Sequence, residues 1–209
     1  MRIDTMVLCE LSTNCYIVST CKKNCVLIDP AADAPKIISF LQKEGLTPKY
    51  IFVTHPHHDH IGAVKELQMY FGARVVIGEI DNKIVEDPLP MYGERYLWKV
   101  KDKLFKADIL VKDGDEIALD ELIFKVMLTP GHTAGGVCYL CGNELFVGDT
   151  LFKEEVGRCD LYSGSLPAML QSVKRLAELP GDYNVYPGHG ESTTMEHERK
   201  YNQYIRKTY

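Results

Sequence analysis

Six of the seven histidines in this 209-residue chain fall in three short motifs, each at the end of a β-like apolar run. The first is Thr54-His55-Pro56-His57-His58-Asp59-His60, the second Pro130-Gly131-His132-Thr133, and the third Tyr186-Pro187-Gly188-His189-Gly190. Between the second and third stands Val147-Gly148-Asp149-Thr150. Imidazole and carboxylate ligands without thiolate suit zinc, iron or manganese. His55 and His57 are two apart at the end of a strand, so both side chains can leave one face. Asp59 and His60 follow where the chain turns into a helix. The segment thus offers two imidazoles to one metal, and a carboxylate plus an imidazole to a second. Asp149 can bridge two metals with its two oxygens. Glycine in the Pro-Gly-His turns lets the backbone bend sharply and approach the site.

Taken singly, these residues have ordinary readings. Asp59 could be a helix N-cap, and His132 a turn residue. Five histidines and two aspartates, all at turns after strands, are together hard to attribute to coincidence. His58 stands between the others and is read as a neighbour of the ligands, outside the set. His197, in Glu196-His197-Glu198-Arg199-Lys200, reads as part of a solvated helix face.

The elements that must position these motifs alternate in type. Cys15–Val18 and Cys25–Ile28 flank Lys22-Lys23-Asn24 as a hairpin, and Asp29-Pro30 ends the second strand. Ala34–Lys43 has apolar residues at helical spacing and stops at Gly45. Tyr50–Val53 reads as a buried strand, about Asp59 to Tyr70 as a helix, and Arg74–Ile77 as a strand. Leu122–Leu128, Val137–Leu140, Leu145–Val147 and Asn184–Tyr186 are further strands. Leu166–Leu179 is a helix with Ser165 as N-cap and Pro167 in its first turn, and Thr193–Ile205 is a closing charged helix. Strands and helices in this order predict two packed α/β layers. Asp87–Asp108 differs in kind, holding Tyr92, Tyr96, the only tryptophan (Trp98) and a run of lysines. It could be a lid or substrate wall. The favoured reading is a short helix that packs its aromatics on the core.

Composition bounds the function. The chain is 45% hydrophobic, enough for a sizeable core and one domain over residues 1–209. A net charge of −5 argues against a nucleic-acid partner. No apolar run is long enough to span a membrane, and Met1-Arg2-Ile3-Asp4 does not begin a signal peptide. The seven cysteines are scattered, which fits free thiols in a reducing cytoplasm. Cys138 and Cys141 form a C-x-x-C on a strand. Positions three apart there face opposite sides, so these thiols are expected to pack apart rather than chelate.

The H-x-H-x-D-H segment at His55–His60, with His132, Asp149 and His189, resembles the metallo-β-lactamase superfamily. The resemblance covers nearly the whole chain, including Asn14-Cys15-Tyr16-Ile17-Val18 and Leu27-Ile28-Asp29-Pro30. It implies a four-layer αββα sandwich with a two-metal site at one edge. Carried over residue by residue, it implies that His55, His57 and His132 hold a first metal. Asp59, His60 and His189 would hold a second, and Asp149 would bridge. Two divalent ions are implied, zinc first, with iron or manganese as alternatives. Gly148-Asp149-Thr150-Leu151-Phe152 and Gly157-Arg158-Cys159-Asp160-Leu161 look most like the glyoxalase II-like branch, in its short form without the added C-terminal helical domain. Ala31 replaces that branch's usual glycine.

That branch implies hydrolysis of a small thioester of the hydroxyacylglutathione type. Two metals lower the pKa of a shared water toward about 7 and polarise the carbonyl. Asp59 could orient the hydroxide, and Asp29 could orient a ligand imidazole. Arg158 could meet a substrate carboxylate bidentately, or simply pair with Asp160. Persulfide dioxygenases, which use one iron, look much like this branch and are the alternative. A lactonase or other ester hydrolase is a further one. A secreted β-lactamase ranks lower, since an export signal and the frequent cysteine at position 149 are missing.

Overall fold

The computed structural model describes residues 1–206. Six strands form the first sheet in sequence order: β1 (Arg2–Leu8), β2 (Thr13–Ser19), β3 (Asn24–Ile28), β4 (Thr47–Val53), β5 (Arg74–Gly78) and β6 (Ile109–Val111). Strands β1 to β3 are antiparallel, and β3 to β6 are parallel. Parallel neighbours need crossovers. These are α1 (Ala34–Glu44) and α2 (Val64–Phe71), then α3 (Glu79–Glu86) and α4 (Leu89–Tyr96) with a 3-10 turn at Leu97–Lys99. The second sheet holds β7 (Glu116–Leu119), β8 (Leu122–Leu128), β9 (Val137–Cys141) and β10 (Glu144–Gly148). After the small hairpin β11 (Leu151–Phe152) and β12 (Glu155–Val156) and helix α5 (Leu166–Ala177), it gains β13 (Asn184–Pro187) and β14 (Thr193–Thr194). Helices α6 (Met195–Tyr201) and α7 (Gln203–Arg206) follow.

Strand alternation sorts the apolar residues into three cores. Cys25, Leu27, Ile51, Val53, Val75 and Ile77 face α1 and α2, with Ile37, Leu41, Val64 and Leu67 opposite. Their in-between neighbours Val26, Ile28, Phe52 and Val76 face the second sheet, meeting Phe124, Val126, Tyr139 and Phe146. Leu145, Val147 and Cys138 turn to the far side, against Met169, Val173 and Leu176 of α5. Three cores between four layers make the expected αββα sandwich. Cys138 and Cys141 fall in different cores, as their spacing predicts, and all seven cysteines are free.

The strand directions bring the motifs to one edge. Strands β3, β4 and β5 are parallel, so Asp29, His55 and Asp81 follow strand ends on the same side. In the second sheet β9 is antiparallel to both β8 and β10, and β10 is parallel to β13. Strands β8, β10 and β13 therefore run the same way, and His132, Asp149 and His189 leave one edge. Hydrogen bonds tie the two sheets together there. The Val137 N–H donates to the Thr54 carbonyl (3.0 Å) and the Asn14 N–H to the Gly188 carbonyl (2.7 Å). The Tyr16 hydroxyl donates to the Pro187 carbonyl at 2.6 Å.

Three expectations are corrected. The helix expected from Asp59 begins only at Val64. The preceding turn is held by the Ala63 N–H on the Pro30 carbonyl (2.9 Å) and by Gly62, where any Cβ would strike the Ala31 carbonyl. The closing helix is a two-residue strand and two short helices broken at Asn202, whose side chain bonds Glu198 and the Glu155 carbonyl. Finally, of the aromatics of 87–108 only Phe105 enters the core, while Tyr92, Tyr96 and Trp98 stay outside it. Helix α4 has no buried residue, Tyr96 is 46% exposed and Trp98 66% exposed. The segment is a wall of the cavity described next.

Candidate metal centre

Two groups of ligand atoms form at this edge: His55, His57 and His132, and Asp59, His60 and His189. Within each, the atoms lie within 4.8 Å of one another. Asp149 stands between the groups. Its Oδ2 is 4.0 Å from His55 Nε2, 3.4 Å from His132 Nε2 and 3.6 Å from His189 Nε2, while its Oδ1 is 3.4 Å from His60 Nε2. Asp59 Oδ2 lies 3.3 Å from His189 Nε2 and 3.6 Å from His60 Nε2. All seven residues singled out from the sequence are thus brought together. A third group, Asp29 with His55 and His60, overlaps them.

Hydrogen bonding on the outer side fixes which nitrogen each ring presents. Asp29 accepts from the Thr54 N–H (2.8 Å) and hydroxyl (2.6 Å) and from His60 Nδ1 (2.9 Å). Because the Thr54 hydroxyl proton is committed to Asp29, its oxygen accepts from His55 Nδ1 at 3.1 Å. His132 Nδ1 donates to the Arg158 carbonyl (2.7 Å), and His189 Nδ1 to the Leu11 carbonyl (3.0 Å). In these four rings the proton sits on Nδ1 and the Nε2 lone pair faces inward. His57 instead turns Nδ1 inward, 2.8 Å from His132 Nε2.

The donor set fits metal ions. His55 Nε2 and Asp149 Oδ1 are buried without a hydrogen-bond partner, at the centre of the ligand groups. Buried polar atoms of this kind are costly unless something satisfies them. Charge points the same way. Burial, followed by the neighbouring imidazoles, holds His55 well below its ordinary pKa, and burial with His132 lowers His57 to about 3. Burial opposes ionisation of Asp59, but His189 and His60 outweigh it and lower its pKa. Burial would also lower His60, yet Asp149 and Asp29 raise it to about 10. Imidazoles held neutral at His55 and His57 offer lone pairs beside the ionised Asp59, and the carboxylates gathered around His60 draw positive charge to the same place.

Close packing forces glycine at two of the motif positions. A Cβ on Gly188 would overlap Asp149 Oδ1 and His60 Cε1. Gly131 has φ 149°, and a Cβ there would run into the Met169 backbone.

The other candidates separate. His58 lies outside both ligand groups and lines the cavity, its ring edge-on to Tyr92 at 6.3 Å. His197 pairs with Glu154 on the surface (2.9 Å). The Arg158 side chain makes a two-point ion pair with Asp160 at 2.8 and 2.9 Å, while its carbonyl orients His132.

Asp81 was not anticipated. It is fully buried in the first turn of α3 and accepts from the Thr133 hydroxyl (2.6 Å) and the Gly135 N–H (2.8 Å), bracing the loop that carries His132. Its only sequence signal is an acidic residue in a helix's first turn, which by itself means little. Burial pushes its pKa up to about 6, against these two donors.

The centre opens into a cavity of about 850 Å³. Its floor is His57, Asp59, His132, Asp149 and His189. One stretch of its wall is Met91, Tyr92, Tyr96 and Lys99, and the rest of the lining is His58, Leu11, Phe152, Arg158, Leu161 and Tyr162.

Comparison with known proteins agrees with this geometry. The chain is 27% identical to hydroxyacylglutathione hydrolase GloC of Haemophilus influenzae, covering 98% of each protein. It is 32% identical to a hydroxyacylglutathione hydrolase of Citrobacter koseri, over 92% of this chain and 70% of that one. Its fold superimposes on BLEG-1 B3 metallo-beta-lactamase with a TM-score of 0.88 and 32% identity, over 98% of this chain and 99% of that one. ETHE1 from Myxococcus xanthus gives 0.81 and 29%, over 97% and 84%. TTHA1623 in a di-iron-bound form gives 0.80 and 32%, over 96% and 99%. The family profile of the metallo-beta-lactamase superfamily matches residues 10–189, which takes in every residue of the two ligand groups and Asp149. The chain belongs to the metallo-β-lactamase superfamily.

Proposed function

We propose that this protein is a metal-dependent hydrolase of small thioesters of the hydroxyacylglutathione type, working at a dinuclear site. The observation that carries the reading is Asp149, whose carboxylate lies between two complete three-residue ligand groups. His55, His57 and His132 would hold one ion, Asp59, His60 and His189 the other, and Asp149 would bridge them. Two bound divalent ions would activate water near neutral pH and polarise the thioester carbonyl. Zinc is the first candidate, and the likeness to a di-iron-bound structure keeps iron in view. The protein's own contribution is to hold the ligands. Asp29 and the Arg158 and Leu11 carbonyls fix the imidazole tautomers. Asp59 stays ionised and faces the cavity, where it can orient the attacking water. The likeness to two hydroxyacylglutathione hydrolases supports the substrate class. Free thiols in all seven cysteines support a reducing compartment, the cytoplasm. Among the described residues no helix is long and apolar enough to cross a membrane.

A second reading has its own observation. His55, His132 and Asp149 alone make a two-histidine, one-carboxylate face, the arrangement of non-haem iron oxygenases. The likeness to ETHE1 favours a persulfide dioxygenase on that face. Metal content per chain, measured together with turnover, separates the two. Close to two ions per chain and hydrolysis of S-lactoylglutathione support the thioesterase. One iron and oxygen uptake with glutathione persulfide overturn it in favour of the dioxygenase.

A further inference from the structure

Core packing does not account for the side chains of the wall formed by α4 and the 3-10 turn. Helix α4 buries nothing, and Gly93 breaks it with φ 59° and ψ 169°. The Tyr92 hydroxyl is committed to the Pro56 carbonyl at 3.0 Å, which leaves only its ring for the cavity. Tyr96 and Met91 add more apolar surface on the same wall. Lys99 lies at the end of this wall, with its Nζ 5.6 Å from the Tyr96 ring centre and 6.0 Å from that of Trp98. Among the described residues no carboxylate makes an ion pair with Lys99. The other cation lining the cavity, Arg158, already pairs through Nε and Nη2 with both oxygens of Asp160. Lys99 is therefore the cation in this cavity that, among the described residues, lacks an anionic partner.

We propose that this wall is a specificity element for acyl thioesters that carry an anionic group, with the apolar body of the substrate lying on Tyr92, Tyr96 and Met91 and the anion meeting Lys99. The proposal rests on the thioesterase reading and sharpens it. A cavity of about 850 Å³ has room for the thiol half of a thioester as well as its acyl group, and apolar walls with a few placed polar groups are how small-molecule sites gain orientation. An ammonium flanked by aromatic faces is held in place and partly shielded from water, which strengthens its attraction for an anion. Lysine acts as a point charge, so it would accept a carboxylate or a phosphate with little directional demand.

The test uses the sole tryptophan, Trp98, as its reporter. The full-length, metal-loaded protein is titrated with 3-(benzylthio)propionate, a thioether that cannot be hydrolysed, and with its methyl ester. Calorimetry repeats both titrations independently of the fluorescence. The expected result is that the acid binds about tenfold more tightly than the ester. This preference should collapse to near unity in Lys99→Met and persist in Lys99→Arg. Equal binding of acid and ester by the unaltered protein overturns the proposal. So does a preference that survives in Lys99→Met, because the anion is then read by the metals or Arg158. The parent reading fails separately. If the acid preference depends on Lys99 but no thioester in a panel is hydrolysed, the cavity binds anions and the hydrolase assignment is wrong.

Discussion

The floor and the α4 wall of the same cavity are built on opposite principles. On the floor every ligand imidazole but His57 is tied from behind by a backbone carbonyl, a carboxylate or a threonine hydroxyl, and His55, His57, His60 and His132 are buried. On the wall, α4 and the 3-10 turn contribute the exposed Tyr96 and Trp98, a glycine break and one hydrogen bond from Tyr92 to the Pro56 carbonyl. Chemistry that depends on ligand geometry sits where the fold over-determines each side chain. Contacts that need only apolar area and a charge sit on a segment that little else constrains. Such a division lets the wall change without disturbing the centre.

The comparison breaks most visibly at Asp149. Replacing it with alanine removes the carboxylate shared by both ligand groups, so metal content and turnover should fall together to background. Elemental analysis alongside an activity assay checks this, and retained activity would sink the assignment.

One layer out, Asp29→Ala removes the acceptor for Thr54 and His60 at once. Metal affinity should drop by about 10- to 100-fold, and unpaired buried donors should cost about 1–3 kcal/mol each in stability. A chelator competition and a denaturant titration measure the two effects.

Asp81→Asn should be milder and dependent on pH. The native pKa is raised to about 6 from an ordinary 3.8, so between those values the folded protein binds more protons than the unfolded chain. Wild-type stability contributed by this group therefore falls as pH rises through that window. Asparagine cannot titrate, and its amide meets two donors with only one acceptor. The variant should be less stable at pH 4, with the gap to wild type narrowing by pH 7. Thermal melts of both proteins across that range decide it, and a gap that does not change with pH would count against a buried, titrating Asp81.

The smallest effect belongs to the wall. Trp98→Ala at an exposed position should shift stability by no more than about 0.5 kcal/mol. A clear fall in Tm would mean the wall is part of the scaffold after all, and would erase the contrast drawn above.

The sequence alone was enough to pick out the seven side chains that the fold gathers at one edge, and most of the frame around them. Histidine and aspartate after apolar runs can be read locally, because strand alternation and turn chemistry act over a few residues. The seven ligand candidates, Ser165 as a cap and the separation of Cys138 from Cys141 all follow from such short-range rules. The sequence could not show what crosses from one element to another. Asp81 meets Thr133 and Gly135 over more than fifty residues, and the Arg158 and Leu11 carbonyls act through a backbone that every residue shares. Helical spacing at 87–108 predicted a face for the core, but only Val100 and Phe105 at its far end are buried, while Tyr96 and Trp98 are left outside. Local pattern thus determined which residues could bind metal. Tertiary structure decided which neighbours hold them in register and which aromatics line the cavity beside them, because both depend on long-range packing that no short window of sequence contains.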